Sequence, residues 1–496
     1  MRVVRSLQPQ LGSTAIADIQ FDLKSRDDIP QILRGLQHIY INTELRDAVF
    51  KLLKTHIQPK VDQNNGRPGM NLWNIFVLGV LRLDLNWDYD RLHEQVNNHR
   101  TIRQMLGHAD IFDTYNYNLQ TLKDNVRLLT PELLGEINKI VVTSGHAILK
   151  KKENEVLRGR CDSFVVKTDV HYPTDINLLF DAMRKIIILI ARLCDAHGIS
   201  EWRQYIYNVR QLKRLIRAAQ MKKRGGGKTE QQQEKRQKQK VEAHQQVMDM
   251  AQQYLDKARL SLKSLQESAV LTSNQKVTLL AVQQYMIDAD RQIDQTTRRV
   301  VEGETIPHSE KVFSIFEPHT EWIVKGKAGV PMELGLRVCI MEDQYQFLLH
   351  HQVMENQTDD QVAVSMVRET KQRFSDLASC SFDKGFHSPE NQKELAELLD
   401  IVALPRKGKQ SEKIKEIESS EDFLQAKKKH SAVESAINGL DVHGLDRCPD
   451  RGLDGFKRYV ALSIVGRNLQ RLGVILFTQE LRRLERAQKR KLKEAA

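Results

Sequence analysis

Cysteine is scarce in this chain, and its thiols are too far apart to form a common metal-binding motif. No two of the five cysteines make a Cys-x-x-Cys pair, which argues against a zinc knuckle. An odd, scattered set is typical of a reducing compartment rather than of a disulfide framework. We predict that all five are small buried or half-buried apolar side chains: Cys161, Cys194, Cys339, Cys380 and Cys448.

Long apolar runs are also missing. The longest stretch, from Ile186 to Ala191, is far shorter than the ~20 residues that a membrane-spanning helix needs, and Arg192 ends it. The first six residues lack the apolar core of a signal peptide. We therefore expect a cytosolic protein with no membrane partner.

Positive charge is abundant and is concentrated in one region. The chain has 76 Lys and Arg against 64 Asp and Glu, a net charge of +12, which favours a polyanionic partner such as nucleic acid. Residues 203–240 alone carry 13 Lys and Arg against two acids. Within them, four cations recur at helical spacing on one face, and we predict that they bind the DNA backbone: Arg210, Lys213, Arg214 and Arg217. A merely solvated helix face is the alternative, although so lopsided a charge argues against it.

The order of the predicted elements indicates an α/β protein of several domains. Residues 1–27 are weakly patterned, the apolar residues from about Ile29 to Leu149 have helical periodicity, and a strand precedes Asp169. A basic helical block follows at 176–304, and strands alternate with helices from 305 to 475. We predict a mixed-sheet domain formed by 160–175 and 305–475, interrupted by the helical block, with a basic helical tail at 476–496. The predicted strands include residues 334–341, 345–350, 377–382 and 401–405.

The helical N-terminal region, 1–150, is a candidate DNA-binding domain. Residues 88–107 contain two short predicted helices across a polar turn, which is the pattern of a helix-turn-helix. An ordinary helical hairpin gives the same pattern, so both interpretations stay open.

Three carboxylates have settings that suit metal-assisted phosphoryl chemistry. Asp169 and Asp383 each follow an apolar strand, and Glu434 lies on a later helix. Rigid elements that converge can hold two divalent ions, which activate the attacking oxygen and stabilise the leaving oxygen of a phosphodiester. Taken singly, the three are also explained as a turn cap, a turn residue and a surface glutamate. Asp175 is a further candidate ligand, but capping of the helix that follows explains it better.

Other side chains near these segments are candidate phosphate contacts. Lys325 and Lys327 bracket a glycine and could hold a phosphate as point charges, or they could belong to a solvated hairpin. His171 and Tyr172 follow Asp169 and could touch a phosphate or pack at the turn.

Several motifs together resemble DDE transposases of bacterial insertion sequences, of the ISNCY type. TDVHYPTDINLL at 168–179 is similar to the segment of the first catalytic aspartate, and FDKGFHS at 382–388 to that of the second. SAVESAIN at 431–438, followed by GLDR at 444–447 and NLQRL at 468–472, resembles the glutamate region. LDLNWDYDRL at 83–92, RQMLG at 103–107 and EPHTEWIVKGKAGVP at 317–331 also match, so the resemblance spans roughly residues 70–475.

The resemblance implies an RNase H-like catalytic core that binds two Mg²⁺ or Mn²⁺ ions. Asp169 would contact both ions, Asp383 and Glu434 one each, and Arg447 would bind DNA. The implied partners are the terminal inverted repeats and the target DNA, with a homodimer or larger assembly holding two element ends in the bacterial cytoplasm, at the nucleoid. One departure is His430, because relatives often have arginine four residues before the glutamate.

The leading hypothesis is therefore a transposase that cleaves DNA strands by hydrolysis and joins them through a freed 3′-OH. Two alternatives remain open from the sequence. One is a different RNase H-like nuclease, which would cut without joining. The other is a non-catalytic DNA-binding relative.

Overall fold

The computed structural model describes residue 3 and residues 12–57, 69–110, 113–149, 155–222, 229–268, 270–324, 332–408 and 412–494. The chain divides into two compact units. The first combines Met1–Asp169 with Ile323–Ala496, and the second is Val170–Trp322. The predicted helical block at 176–304 falls inside the second unit, whereas no division falls at residue 150 or residue 475.

The first unit begins with seven described helices whose ends follow their capping residues. Asp88 accepts a hydrogen bond from the backbone N–H of Arg91 at 2.6 Å, which starts the fourth helix. Gly107 has φ +87°, a left-handed conformation that ends the fifth helical segment. The helices are α1 Asp28–Ile41, α2 Thr43–Ile57, α3 Leu72–Asp84, α4 Tyr89–Asn98, α5 Arg100–Met105, α6 Leu119–Val126 and α7 Pro131–Ile148.

A mixed sheet forms the centre of this unit. Its described strands are β1 Leu157–Thr168, β2 Glu321–Val324, β3 Met332–Glu342, β4 Leu348–Met354, β5 Leu377–Phe382, β6 Ile401–Ala403 and β7 Arg447–Cys448. β1 is central: it pairs antiparallel with β3 and parallel with β5. Beyond these, β4 pairs antiparallel with β3, and β6 pairs parallel with β5. β2 also borders β3, and the short β7 pairs parallel with the end of β1.

The β3–β4 turn is longer than the sequence predicted. The Asp343 side chain accepts hydrogen bonds from the N–H groups of Tyr345 and Phe347 at 2.8 and 2.9 Å. Gln346 between them has φ +69°. These contacts hold the chain in a turn until Phe347, so β4 starts three residues later than position 345.

The second unit is a bundle of long helices: α8 Asp175–Ala196, α9 Tyr205–Lys222, α10 Glu230–Ser268 and α11 Ser273–Thr296. The apolar run of α8 is its centre, because Ile186, Ile187 and Ile190 are fully buried with Leu212 of α9 and Leu255 of α10.

The remaining helices belong to the first unit: α12 Asp359–Arg373, α13 Pro389–Leu398, α14 Glu412–Glu418, α15 Glu421–His430, α16 Ala432–Leu440 and α17 Leu453–Glu494. α17 joins the helix predicted at 455–472 to the predicted basic tail. Among the described helices, it is the one long and apolar enough to span a membrane, but 78% of its most apolar window is buried inside the protein, as in a core helix.

One apolar core links the N-terminal helices to the sheet and to α17. Leu36 of α1, Trp73 of α3 and Leu469 of α17 are buried in the same cluster as Phe164 of β1 and Val338 of β3. Residues 1–150 therefore share their core with the rest of the first unit. All five cysteines are buried and free, as the sequence predicted.

Candidate functional site

The pairing of β1 with β5 brings two aspartates side by side. The register matches Arg160 with Ser381 and Cys161 with Phe382, so the next residues along the two parallel strands are Asp162 and Asp383. Side chains alternate between the faces of a sheet. Cys161 and Phe382 are buried in an apolar core on one face, and Asp162 and Asp383 therefore project from the other.

Glu434 reaches this face from a helix. α16 packs on β1, and it does so through the buried side chains of Val433, Ala436 and Leu440. Glu434 lies on the exposed side of the same short helix. Its charge acts on the Asp162 carboxyl, so the glutamate is near the two aspartates.

Electrostatics show that Asp162 belongs to an acidic cluster. Burial, followed by the charges of Asp383, Asp359 and Glu434, raises the pKa of Asp162 to about 6. The N–H of Ser163, 2.8 Å from the Asp162 carboxylate, acts in the opposite direction. A partly buried carboxyl surrounded by like charges is the setting that a bound cation relieves.

Asp359, which was not predicted, also acts on the Asp162 carboxyl, but it lies on the opposite face of the sheet. It is the first residue of α12, and its Oδ1 accepts a hydrogen bond from Ser163 Oγ at 2.6 Å. Because Ser163 alternates with Asp162 along the strand, this bond ties the start of α12 to the face of β1 opposite Asp162.

His430 fastens α15 to the sheet beside the carboxylates. Its Nδ1 lies 3.0 Å from Ser381 Oγ on β5. Burial lowers the pKa of His430, although the nearby charges of Asp383 and Glu434 act in the opposite direction. At the position where the resemblance expects an arginine, this chain therefore has a largely neutral side chain that contacts the sheet.

Arg160 lies on the same face of β1 as Asp162, and its guanidinium is engaged elsewhere. Nη2 is 2.8 Å from Glu342 Oε2 and also donates to the Asp343 carbonyl. Arg160 thus links β1 to the end of β3 through an ion pair and a hydrogen bond.

Asp169 does not lie beside Asp383 and Glu434, so the structure does not bring the three members of the predicted triad together. Asp169 follows the end of β1, seven residues beyond Asp162, which is about 23 Å along an extended strand. There it is exposed and lies 3.5 Å from Arg447, another predicted site residue. The end of a strand just before Asp169 was correctly predicted, but the register between strands, not the strand end, decides which aspartate faces Asp383.

The other predicted residues have varied positions. Arg210, Lys213, Arg214 and Arg217 are all exposed on α9, in the second unit. Asp175 is the first residue of α8 and pairs with Arg299 at 2.7 Å, while Thr174 provides the cap. His171 pairs with Asp181 at 2.6 Å. Lys325 and Lys327 lie outside the described residues.

Sequence reasoning missed Asp162, although a signal was present. It is a charged residue within a strand whose following residues, Phe164 to Val166, are all buried. A charge in a central strand requires compensation or a function.

Within the described ranges, no three His, Cys, Asp or Glu side chains are close enough to hold one metal ion together. No protein-family model matches the chain, and comparisons with curated proteins and with solved structures give no significant match.

Proposed function

We propose that the protein is a DNA transposase with an RNase H-like core, in which Asp162, Asp383 and Glu434 form the carboxylate triad. The sheet supports this proposal through the order β4–β3–β1–β5–β6. An RNase H-like core has three antiparallel strands, followed in the chain by two strands parallel to the first, with helices on both faces of the sheet. The proposed substrate, DNA, and the proposed reaction, strand cleavage and joining, come from the motifs that resemble DDE transposases.

The observation that carries the proposal is the β1–β5 register, which makes Asp162 and Asp383 neighbours. The three carboxylates follow the element order expected of the triad. One aspartate lies on the central strand, the second lies just after the adjacent parallel strand, and the glutamate lies on a helix later in the chain. Asp162 takes the role that the resemblance gives to the first aspartate.

The donor set suits Mg²⁺ or Mn²⁺. Mg²⁺ prefers oxygen ligands and keeps several waters, so one or two protein carboxylates per ion are enough. Asp162, Asp383 and Glu434 supply only oxygen donors. The pKa of Asp162 is raised first by burial and then by the charges of neighbouring carboxylates, including the other two. When bound, two ions would activate the attacking oxygen and stabilise the leaving oxygen of the phosphodiester. The protein's part is to hold the three carboxylates on rigid elements.

The substrate is double-stranded DNA, in this proposal the terminal inverted repeats and the target. The exposed cations on α9 supply phosphate contacts that give affinity without base specificity. A homodimer or larger assembly would hold the two ends of the element.

Cleavage of a natural substrate tests the proposal. A plasmid carrying the coding segment with its native flanking DNA is incubated with purified protein and Mn²⁺. We expect nicks at defined ends and joined products, and a rate at least about 100-fold lower for Asp383→Asn and for Glu434→Gln. Glu421→Gln is the matched control, because Glu421 is an exposed acid on α15, the helix before α16. This variant should cleave like the parent.

The outcomes separate the alternatives. If Asp383→Asn cleaves like the parent, the site assignment is wrong. Cut ends without joined products would indicate a nuclease. Calorimetry that detects no Mn²⁺ binding to the parent would favour a non-catalytic DNA-binding protein.

A further inference from the structure

The second unit contains a cavity of about 460 Å³ between α8 and α9. Its volume lies within the range of pockets that hold small organic ligands, roughly 300–1,000 Å³. Phe180 from α8 and Tyr205 from α9 contribute aromatic lining, and Ile206, which is 52% exposed, contributes an apolar edge. The interior is therefore suited to a flat, weakly polar group.

The rim of this cavity is cationic. Arg184, Arg210 and Lys213 line it, and Lys213 Nζ lies 5.9 Å from the centroid of the Phe180 ring. The one acid in the lining, Asp181, is buried and pairs with His171 at 2.6 Å and with Arg184 at 3.9 Å. Positive charge and an aromatic face thus border the same space.

We infer that this cavity binds a single unstacked nucleotide of a DNA strand. The base stacks on the aromatic lining, and the flanking phosphates contact Arg184, Arg210 and Lys213. Aromatic side chains beside a basic groove are the features by which proteins hold unpaired nucleotides. An acidic peptide would also match the cations, but the aromatic pair favours a base. The inference rests on the proposed function in taking DNA as the ligand, and it adds a site for an extrahelical or single-stranded nucleotide away from the carboxylates.

Binding to a bulged duplex tests the inference without cleavage. One duplex carries an extrahelical 2-aminopurine and a second is fully paired, and full-length protein is titrated into each in EDTA. We expect tighter binding of the bulged duplex and quenching of 2-aminopurine fluorescence on stacking. Tyr205→Leu and Phe180→Leu should each weaken binding of the bulged duplex about tenfold and abolish the quenching, with little effect on the paired duplex.

Two further variants control for structural damage, and a third, Arg210→Ala, tests the phosphate contact. Tyr205→Phe keeps the ring and should bind like the parent. Tyr207→Leu removes an aromatic side chain that is 57% exposed on the same helix but does not line the cavity, and it should also bind like the parent. Arg210→Ala should weaken the bulged duplex and retain the quenching.

Several results would overturn the inference. One is equal binding of the two duplexes by the parent protein. Another is a loss of affinity for the bulged duplex that is as large for Tyr207→Leu as for Tyr205→Leu. Displacement of the probe by an acidic amphipathic peptide but not by oligothymidine would identify a protein-docking groove instead. If the parent cleaves DNA but shows no preference for the bulge, only this inference fails. If it binds neither duplex, the proposed function fails as well.

Discussion

Asp162 on β1 is the neighbour of Asp383 at the end of β5, because the two parallel strands are paired through Cys161 and Phe382. The two side chains project from the same face of the sheet. This relationship moves the candidate site seven residues back along β1 from Asp169. Under the proposed function, it predicts that Asp162, and not Asp169, is the aspartate whose loss abolishes cleavage.

Asp162→Asn and Asp169→Asn should therefore behave differently. We expect Asp162→Asn to lower the rate of Mn²⁺-dependent nicking at least about 100-fold, more than the 10–100-fold typical for partners outside a metal's direct ligands. Asp169→Asn removes an exposed ion pair with Arg447 and should stay within a few-fold of the parent. Initial nicking rates at saturating Mn²⁺ measure both, and the assignment fails if the two variants exchange these outcomes.

Local signals predicted the elements well, whereas pairing between distant segments was not predictable. β5 was expected at 377–382 and is found there, because a short apolar run between polar turns determines it locally. The choice between Asp162 and Asp169 depends on a register between strands more than 200 positions apart, which periodicity does not encode. For the same reason, the shared core of α3, α17 and the sheet was not predicted. Apolar side chains such as Trp73 and Leu469 are expected to be buried, but the sequence does not indicate which distant segments they pack against.

The buried ion pair between Arg82 and Asp450 should be sensitive to loss of one partner. Two hydrogen bonds, of 2.7 and 3.2 Å, join Arg82 on α3 to Asp450, just after β7. Asp450→Asn leaves the guanidinium charge buried, so we expect the free energy of unfolding to fall by about 3–5 kcal/mol. Urea denaturation measures this change.

Asp47→Asn is the matched control for that prediction. It breaks the more exposed Arg46–Asp47 pair, 3.1 Å long, and should cost less than about 1 kcal/mol. Equal losses for the two variants would contradict a special role for the buried pair.

Asp84 should make stability depend on pH. It is fully buried at the end of α3, where burial raises its pKa to about 7, while His443 and Arg467 act in the opposite direction. No hydrogen-bond partner among the described residues reaches its carboxylate oxygens. Between about pH 4 and pH 7 the folded protein keeps a proton that the unfolded chain releases, so the free energy of unfolding should fall as pH rises through this window.

Asp84→Asn should remove this dependence. A shift of three pKa units corresponds to roughly 4 kcal/mol in all, but only about two of those units lie between pH 5 and pH 7. The stability of the asparagine variant relative to the parent should therefore increase from pH 5 to pH 8 by up to about 3 kcal/mol. Thermal unfolding of both proteins across this range measures the difference. A constant difference would mean that Asp84 ionises in the folded protein as it does in the unfolded chain.

The exposed cations of α9 should determine the salt dependence of DNA binding. Each phosphate contact contributes about 0.9 to the slope of log K against log salt concentration. Arg214 and Arg217 are exposed on α9 and do not line the cavity between α8 and α9, so replacing both with alanine should reduce the magnitude of the slope by about 2 while leaving any preference for an unpaired nucleotide unchanged. The control removes Lys263 and Lys276, which are also exposed in the second unit, and should leave the slope near that of the parent. An equal reduction in the two double variants, measured by fluorescence anisotropy on one paired duplex, would indicate a general effect of net charge instead of contacts made by this helix face.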